Sequence, residues 1–378
     1  VVEIDPQRPS PQHWREVVPQ RDATLESASI HGGRLLLRYL EDASASLEIR
    51  ELSGEPVATV PLEGPSSIAG LSGRTQDDTV YLYESAMHRA PRIATLSLRD
   101  GSLQTWERFE VPVASDLVLE RTRFRSRDGT EVGMFVLHRE DLPLDGSAPT
   151  LLTGYGGFGV SLQPSFSATA ALWAELGGVW AMPNLRGGGE YGEAWHDAGR
   201  RGHKQNTFDD FIAAAEHLQA RGYTRPDRLA IRGGSNGGLL VGAVSTQRPE
   251  LFGAVICAVP LLDMIRYHRY GAGPTWIPEY GSPEDPEQFG WLWGYSPLHK
   301  VRPGVAYPPL LMLSADNDDR VDPMHARKFV AAMQHAGADA RLRVERGAGH
   351  GGSPRVTDRI EAELDAMVFA LDRLSAVR

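Results

Sequence analysis

The sequence predicts an α/β protein: a mostly parallel, doubly wound sheet over residues 115–378, preceded by an all-β segment over residues 1–114. Three observations predict it. From about residue 115 onward, apolar runs such as "APTLLT", "RLAIR", "AVICAV" and "PLLMLSA" alternate with stretches of helical periodicity, the pattern of parallel strands covered by helices on both faces. Ahead of them, β-rich runs recur in two units of roughly 40 residues, a period that suits propeller blades. Finally, "IRGGSNGGLLVG" crowds four glycines around Ser235 where a strand gives way to a helix.

The elements follow in order. "RLLLRYL", "SLEIREL", "TVYLYES" and "RIATLSL" are short β-rich runs parted by turn clusters such as "LSGEP" and "LRDGS", and each unit has room for about four strands. A closed propeller takes about four to eight blades. The segment therefore reads as blades of a larger ring that begins upstream, in preference to a small sandwich. "TRFRS" and "EVGMFVLH" flank the turn "RDGT" as a hairpin. "TFDDFIAAAEHLQARG" reads as a helix with Thr207 as N-cap and Gly222 as stop, and Phe208, Phe211, Ile212, Ala215 and Leu218 on one face. "LLVGAVSTQR" is a helix followed by Pro249. "DPMHARKFVAAMQHAG" is another, with Asp322 as cap, Pro323 in the first turn and Gly337 at the end. "ARLRVE" is a strand, and the residues from 356 form a last amphipathic helix.

Composition removes several function classes. The chain of 378 residues carries a formal charge of −10 and no Lys/Arg-rich run, which argues against nucleic acid and anionic membranes as partners. No apolar run approaches the roughly 18 residues of a spanning helix. Cys257 is the single cysteine, so no internal disulfide forms, and its setting in "AVICAVP" reads as a buried thiol. Neither H-E-x-x-H nor C-x-x-C occurs, and no metal or cofactor is expected. "RGGGEYG" contains G-x-G-x-x-G at Gly187, Gly189 and Gly192 but runs on into the loop-like "EAWHDAGRRGHKQN". A dinucleotide site needs a helix to start within the motif. The chain opens on "VVEIDPQRPS", which is neither a Met start nor a signal peptide, so the natural N-terminus is expected upstream. A cytoplasmic location is expected ahead of a periplasmic or secreted one.

Gly233, Ser235 and Gly237 give G-x-S-x-G between a strand and a helix. That is a nucleophile elbow, in which a strained turn lifts the serine hydroxyl above the sheet edge. The competing reading, a phosphate loop, lacks the Lys-Ser/Thr that must follow. The helix N-terminus aims free N–H groups at the serine, so the N–H of Asn236 can serve as an oxyanion donor. In this α/β-hydrolase arrangement an acid and then a histidine follow in the chain. "SADNDDRVDP" offers Asp316, Asp318, Asp319 and Asp322 after an apolar strand. Asp322 suits a helix cap and Asp316 a turn. The spacing of "DDRV" favours Asp318 over Asp319 without separating them. His350, in the glycine loop "RGAGHGG" beyond the last strand, is the base in the right order, whereas His325 and His335 lie on a helix as surface or packing residues.

"GYGGFGVSLQPSFS", "NLRGGGEYGEAWH", "KQNTFDDF", "GGSNGGLL", "RPELFGAVI", "YGSPED", "YSPLHKV", "ADNDDRVDP" and "AGHGG" stand in one order from about residue 115 to the C-terminus. Together they resemble the prolyl oligopeptidases, and the likeness continues more loosely through the β-rich part. The resemblance implies an α/β-hydrolase domain capped by a seven-bladed propeller, and cleavage of short peptides after proline. It implies Ser235, Asp318 and His350 as the triad, with Tyr155 as an oxyanion donor beside the Asn236 N–H. It further implies Arg320 on a substrate carbonyl and Trp276 stacked on the proline ring, with Phe158, Tyr280 and Val321 completing the pocket. Leu261 stands at a wall position where the family often has a smaller apolar residue. By resemblance the protein is a monomer that takes short proline-containing peptides and needs an N-terminal part beyond Val1. A basic-residue oligopeptidase would show an acidic pocket wall, and a dipeptidyl peptidase resembles a version with paired glutamates, which this chain lacks. An esterase on the same fold is a further alternative. A non-enzymatic binding module is hard to reconcile with a complete Ser/Asp/His pattern.

Overall fold

Two-residue turns organise the N-terminal strands. Gly32-Gly33 (φ 54° and 74°) and Asp42-Ala43 (φ 48° and 61°) all lie in the left-handed region, which the tightest hairpin loops require at both positions. They join Thr24–His31, Arg34–Glu41 and Ser44–Glu51 into a meander that Pro56–Thr59 completes. Ser67–Ser72, Thr79–Ala86, Arg89–Ser97 and Leu103–Arg108 form a second four-stranded antiparallel sheet. Each unit expected from the sequence is thus one sheet. Alternate residues of both, including Leu36, Leu47, Ile49, Val80, Leu82 and Leu96, are fully buried in one apolar cluster. In this computed structural model, which describes residues 1–375, the two sheets belong to a compact unit of Val1–Leu117, Gln163–Ala171 and Glu190–Gly192.

The second unit holds Val118–Leu162, Leu172–Gly189 and the chain from Glu193. Its eight-stranded sheet runs, in spatial order, Leu117–Arg125, Glu131–Arg139, Val179–Pro183, Thr150–Thr153, Leu229–Gly234, Ala254–Ala258, Leu310–Ala315, Ala340–Glu345. Glu131–Arg139 meets Val179–Pro183 antiparallel, and every pairing from there to the last strand is parallel. Val179–Pro183 is buried along its whole length and Ala254–Ala258 over its first four residues, as expected when helices cover both faces. The helices Lys204–Ala220, Asn236–Gln247, Met324–His335 and Val356–Ser375 contribute Phe208, Phe211, Leu239, Leu240, Phe329, Ala366 and Met367 as buried residues. Among the described residues no helix is long and apolar enough to cross a membrane.

Three local expectations are corrected. Thr207 is no N-cap: the helix begins at Lys204, and the buried Thr207 hydroxyl donates to Arg186 O at 2.8 Å. The extra turn forms because Lys204 has a buried partner, Glu279, that sequence distance hides. Glu193–Asp197 is a short helix inside the stretch read as loop-like. Asp322 lies one residue further out than a cap, with Pro323 in that place, although its carboxylate still accepts from Met324 N–H at 2.8 Å.

Candidate active site

Ser235 has φ 57° and ψ −117°, the strained geometry of a sharp strand-to-helix turn. Its N–H bonds to Ala258 O at 2.9 Å, which locks the turn to the neighbouring strand. The flanking glycines are steric necessities. A Cβ on Gly233 would stand 2.0 Å from Gly237 O, one on Gly237 would stand 2.5 Å from Gly154 O, and one on Gly238 would stand 2.7 Å from Pro260 Cβ. Asn236 opens the following helix, so its N–H is one of the donors that the helix cannot satisfy internally.

The acid is separated from its neighbours by burial. Asp318 is 7% exposed, while Asp316 and Asp319 are exposed. Asp318 Oδ1 accepts from the N–H groups of Arg320 (3.1 Å) and Val321 (2.8 Å), and Oδ2 lies 2.8 Å from His350 Nδ1. The carboxylate is thereby oriented on one side and offers its free oxygen to the imidazole on the other. Asp316 instead accepts from Gly347 N–H at 2.7 Å and ties down the start of the His350 loop. Among the described residues no hydrogen bond joins Ser235 to His350, the contact that catalytic sites commonly close only around substrate.

Tyr155 is half-buried beside Ser235. Burial pushes its phenol above the usual 10, against the opposing pull of the Arg320 charge and the Ser235 hydroxyl, so it remains a proton donor at neutral pH. The Arg320 guanidinium makes no ion pair among the described residues, and in particular none with the aspartates beside it. Tyr155, Phe158, Ser235, Asn236, Leu261, Trp276, Tyr280, Arg320 and Val321 line one narrow recess. Leu261, Tyr280 and Val321 are its buried walls, and Phe158 is 37% exposed and set edge-on to Tyr280 at 5.5 Å. The structure brings together every candidate named from the sequence except Asp318 and His350, which stand as a bonded pair outside the lining.

The decoy glycines have a packing role. A Cβ on Gly187 would lie 2.6 Å from Gly156 O and one on Gly189 would lie 2.3 Å from Gly159 O, so "RGGG" lets this segment press against the Tyr155 loop. Arg186, 4% exposed, anchors it through Asp210 and Asp128. His325 is fully buried, with its Nδ1 accepting from Leu262 and Asp263 N–H groups. Cys257 is buried with its thiol pushed up by burial. Among the described residues no cluster of His, Cys, Asp or Glu is arranged to hold a metal ion.

Lys204, Glu279 and His196 went unseen in the sequence. Lys204 Nζ and Glu279 pair at 3.3 Å behind the Tyr155 loop, and His196 Nε2 meets Glu279 at 2.8 Å. One signal was present: Lys204 lies four and seven residues before Phe208 and Phe211, which puts a charge on the apolar helix face. Glu279 and His196 carry no such local mark.

A profile of the "Prolyl oligopeptidase family" matches residues 164–375, and one of the "Prolyl oligopeptidase, N-terminal beta-propeller domain" matches residues 1–108. A prolyl endopeptidase of Elizabethkingia miricola is 38% identical over 97% of this chain and 52% of its own length. One from Elizabethkingia meningoseptica is 39% identical, again over 97% and 52%. A solved prolyl endopeptidase structure superposes with a TM-score of 0.96 at 52% identity, covering 99% of this chain and 56% of that one. A post-proline cleaving enzyme from Rickettsia typhi gives 0.86 at 31% identity, over 94% and 52%. The chain spans about half the length of the curated relatives it matches.

Proposed function

The chain belongs to the prolyl oligopeptidase family, and on that premise we propose that it supplies the catalytic part of a serine endopeptidase that cleaves short peptides on the carboxyl side of proline. In this reading residues 1–114 are propeller blades and residues 115–378 the hydrolase domain. The observation that carries it is the single recess in which the elbow serine, two oxyanion donors and an apolar, aromatic wall converge.

The chemistry follows from the geometry. His350 Nδ1 is held by Asp318, which leaves Nε2 as the base. Nε2 takes the Ser235 proton as Oγ attacks the scissile carbonyl carbon, and the carbonyl oxygen becomes an oxyanion. The Tyr155 hydroxyl and the Asn236 N–H donate to that oxyanion, and each such donor is worth about 10²–10³-fold in rate. The C–N bond then breaks, and His350 passes the proton to the leaving amine. Water, deprotonated by His350, attacks the acyl-enzyme and releases the new carboxylate and Ser235. In this reading Arg320, without an ion pair among the described residues, holds a further substrate carbonyl with its forked donors.

The recess wall supports proline before the scissile bond. Trp276, Phe158, Tyr280, Leu261 and Val321 present apolar surface and no carboxylate, which suits a flat ring without an N–H and opposes a basic side chain. Phe158, 37% exposed, and the partly buried Trp276 are the walls nearest solvent, the side from which a proline ring would enter.

The test is amide cleavage on matched fluorogenic dipeptides ending in Pro, Ala, Arg or Phe. Preference for Pro, abolished by a phosphonate that labels Ser235, is the expected result. Cleavage after Arg or Phe with the same label would keep the serine mechanism and overturn the proline pocket.

A further inference from the structure

The three residues after Tyr155 run from the oxyanion donor to the recess wall, and the backbone of the last is strained. Gly156 has φ 62°, and Phe158 has φ 57°, a conformation that costs a bulky L residue of order 1 kcal/mol or more. Two buried charges grip this segment from either end. Lys204 Nζ donates to Gly156 O at 2.8 Å, and Glu279 Oε1 accepts from Phe158 N–H at 3.0 Å. The two pair with each other at 3.3 Å and are 1% and 4% exposed. Glu279 turns its other oxygen to His196 Nε2 at 2.8 Å.

Stability alone does not account for such a pair. Desolvating two charges roughly cancels their attraction, and apolar replacements of similar volume are often no less stable. What apolar residues would lack is the grip. Lys204 and Glu279 bond to backbone atoms that bracket the segment between Tyr155 and Phe158. Glu279 also precedes Tyr280 and follows Trp276 by three residues, so the element that carries two recess walls is tied to the loop that carries the third. The Lys204 ammonium lies 5.5 Å from the Tyr280 ring centre, over its face, a further tie between them.

We propose that Lys204 and Glu279 are positioning residues that set the Tyr155–Phe158 segment, so that oxyanion stabilisation and proline selection are fixed by one buried ion pair. This inference rests on the peptidase reading above. It predicts that loosening the pair degrades both properties together, although neither side chain touches substrate.

The test uses Lys204→Met, Glu279→Gln and the double variant, in the protein that carries this chain. Each single change strands a buried charge and lowers the unfolding temperature. The double change strands none and recovers most of that loss. Three readouts are taken: the rate at which a fluorophosphonate labels Ser235, kcat and KM on Pro and Ala substrates, and the Pro to Ala ratio of kcat/KM. In the folded double variant, labelling and kcat are expected to fall about 10- to 100-fold, the cost of a misplaced donor. The Pro to Ala ratio falls with them. His196→Gln, which keeps a donor to Glu279, stays within about threefold of the parent on all three.

A double variant with the parent's unfolding temperature, labelling rate and Pro to Ala ratio overturns the proposal. Where the double variant does not fold, Glu279→Gln alone serves: it keeps an acceptor for Phe158 and slackens Lys204, and parental labelling with a parental ratio again overturns it. A parent that is labelled but shows no Pro preference overturns the proline reading, while the labelling rates still decide the positioning role. A folded parent that is never labelled at Ser235 overturns both.

Discussion

The phenol of Tyr280 donates to the side-chain oxygen of Asn236 at 2.8 Å, and the Asn236 amide donates onward to the carbonyl of Tyr155. A recess wall, the residue after Ser235 and the Tyr155 loop are thereby joined by two consecutive hydrogen bonds. Burial first, then the charge of Glu279, pushes the Tyr280 phenol well above 10, so it keeps its proton at neutral pH. Tyr280→Phe leaves the ring in place and orphans the buried Asn236 oxygen. A lost bond of this kind is worth about 1 kcal/mol. We expect kcat on a Pro substrate to fall about fivefold with KM nearly unchanged, and a KM effect alone would show that Tyr280 contributes only wall surface.

The acid can be identified by substitution. Asp318 is buried and accepts three hydrogen bonds, whereas Asp319 is exposed. Asp318→Asn puts a donor group where the His350 Nδ1–H must find an acceptor, and such a change costs about 10⁴ in kcat in other triads. Asp319→Asn is expected to stay within about twofold, as surface changes do. Comparable losses at both positions would reject the assignment of Asp318 as orienter.

Those two aspartates show how far the sequence was legible. The elbow and the order of acid and histidine were readable because a strained turn needs glycine at fixed offsets and because the apolar strands mark the sheet. The choice between Asp318 and Asp319 was not, since it depends on which carboxylate the loop turns inward toward the N–H groups of Arg320 and Val321. Lys204, His196 and Glu279 were hidden for a related reason. Their partners lie 75 and 83 residues away, and a buried ion pair leaves no periodic trace except a charge on an apolar helix face. Thr207 was misplaced as a cap by the same omission.

Recess shape yields a third prediction. Trp276 is a partly buried wall and Leu261, 2% exposed, a buried one. Trp276→Ala removes a face on which a proline ring can lie, and is expected to lower kcat/KM for Pro far more than for Ala. Leu261→Ala widens the floor and is expected to narrow the Pro to Ala difference while admitting larger residues. It also costs about 2–5 kcal/mol of stability, as buried Leu truncations do. Equal losses on Pro and Ala in both variants would assign these side chains to the core.

The last prediction concerns acid. His325 is buried, and its Nδ1 accepts from the N–H groups of Leu262 (3.3 Å) and Asp263 (3.0 Å). Burial holds its pKa down to about 4, against the raising pull of Asp263 and Asp322 and with a small push from Lys328. The neutral ring is therefore the folded form, while the unfolded chain takes up a proton near 6.5. Between those two values the unfolded state binds more protons, so stability falls as pH drops from about 6.5 to about 4 and changes no further through this group below that. The gap of about 2.5 units corresponds to a loss of up to about 3 kcal/mol. His325→Asn keeps an acceptor for the two N–H groups and cannot titrate. Denaturant unfolding of parent and variant at pH 7, 5.5 and 4 should show the parent losing the larger share of its stability on acidification. Parallel losses in the two proteins would mean that His325 is charged or exchanged with solvent in the folded state, and that the Leu262–Asp263 backbone is held by something else.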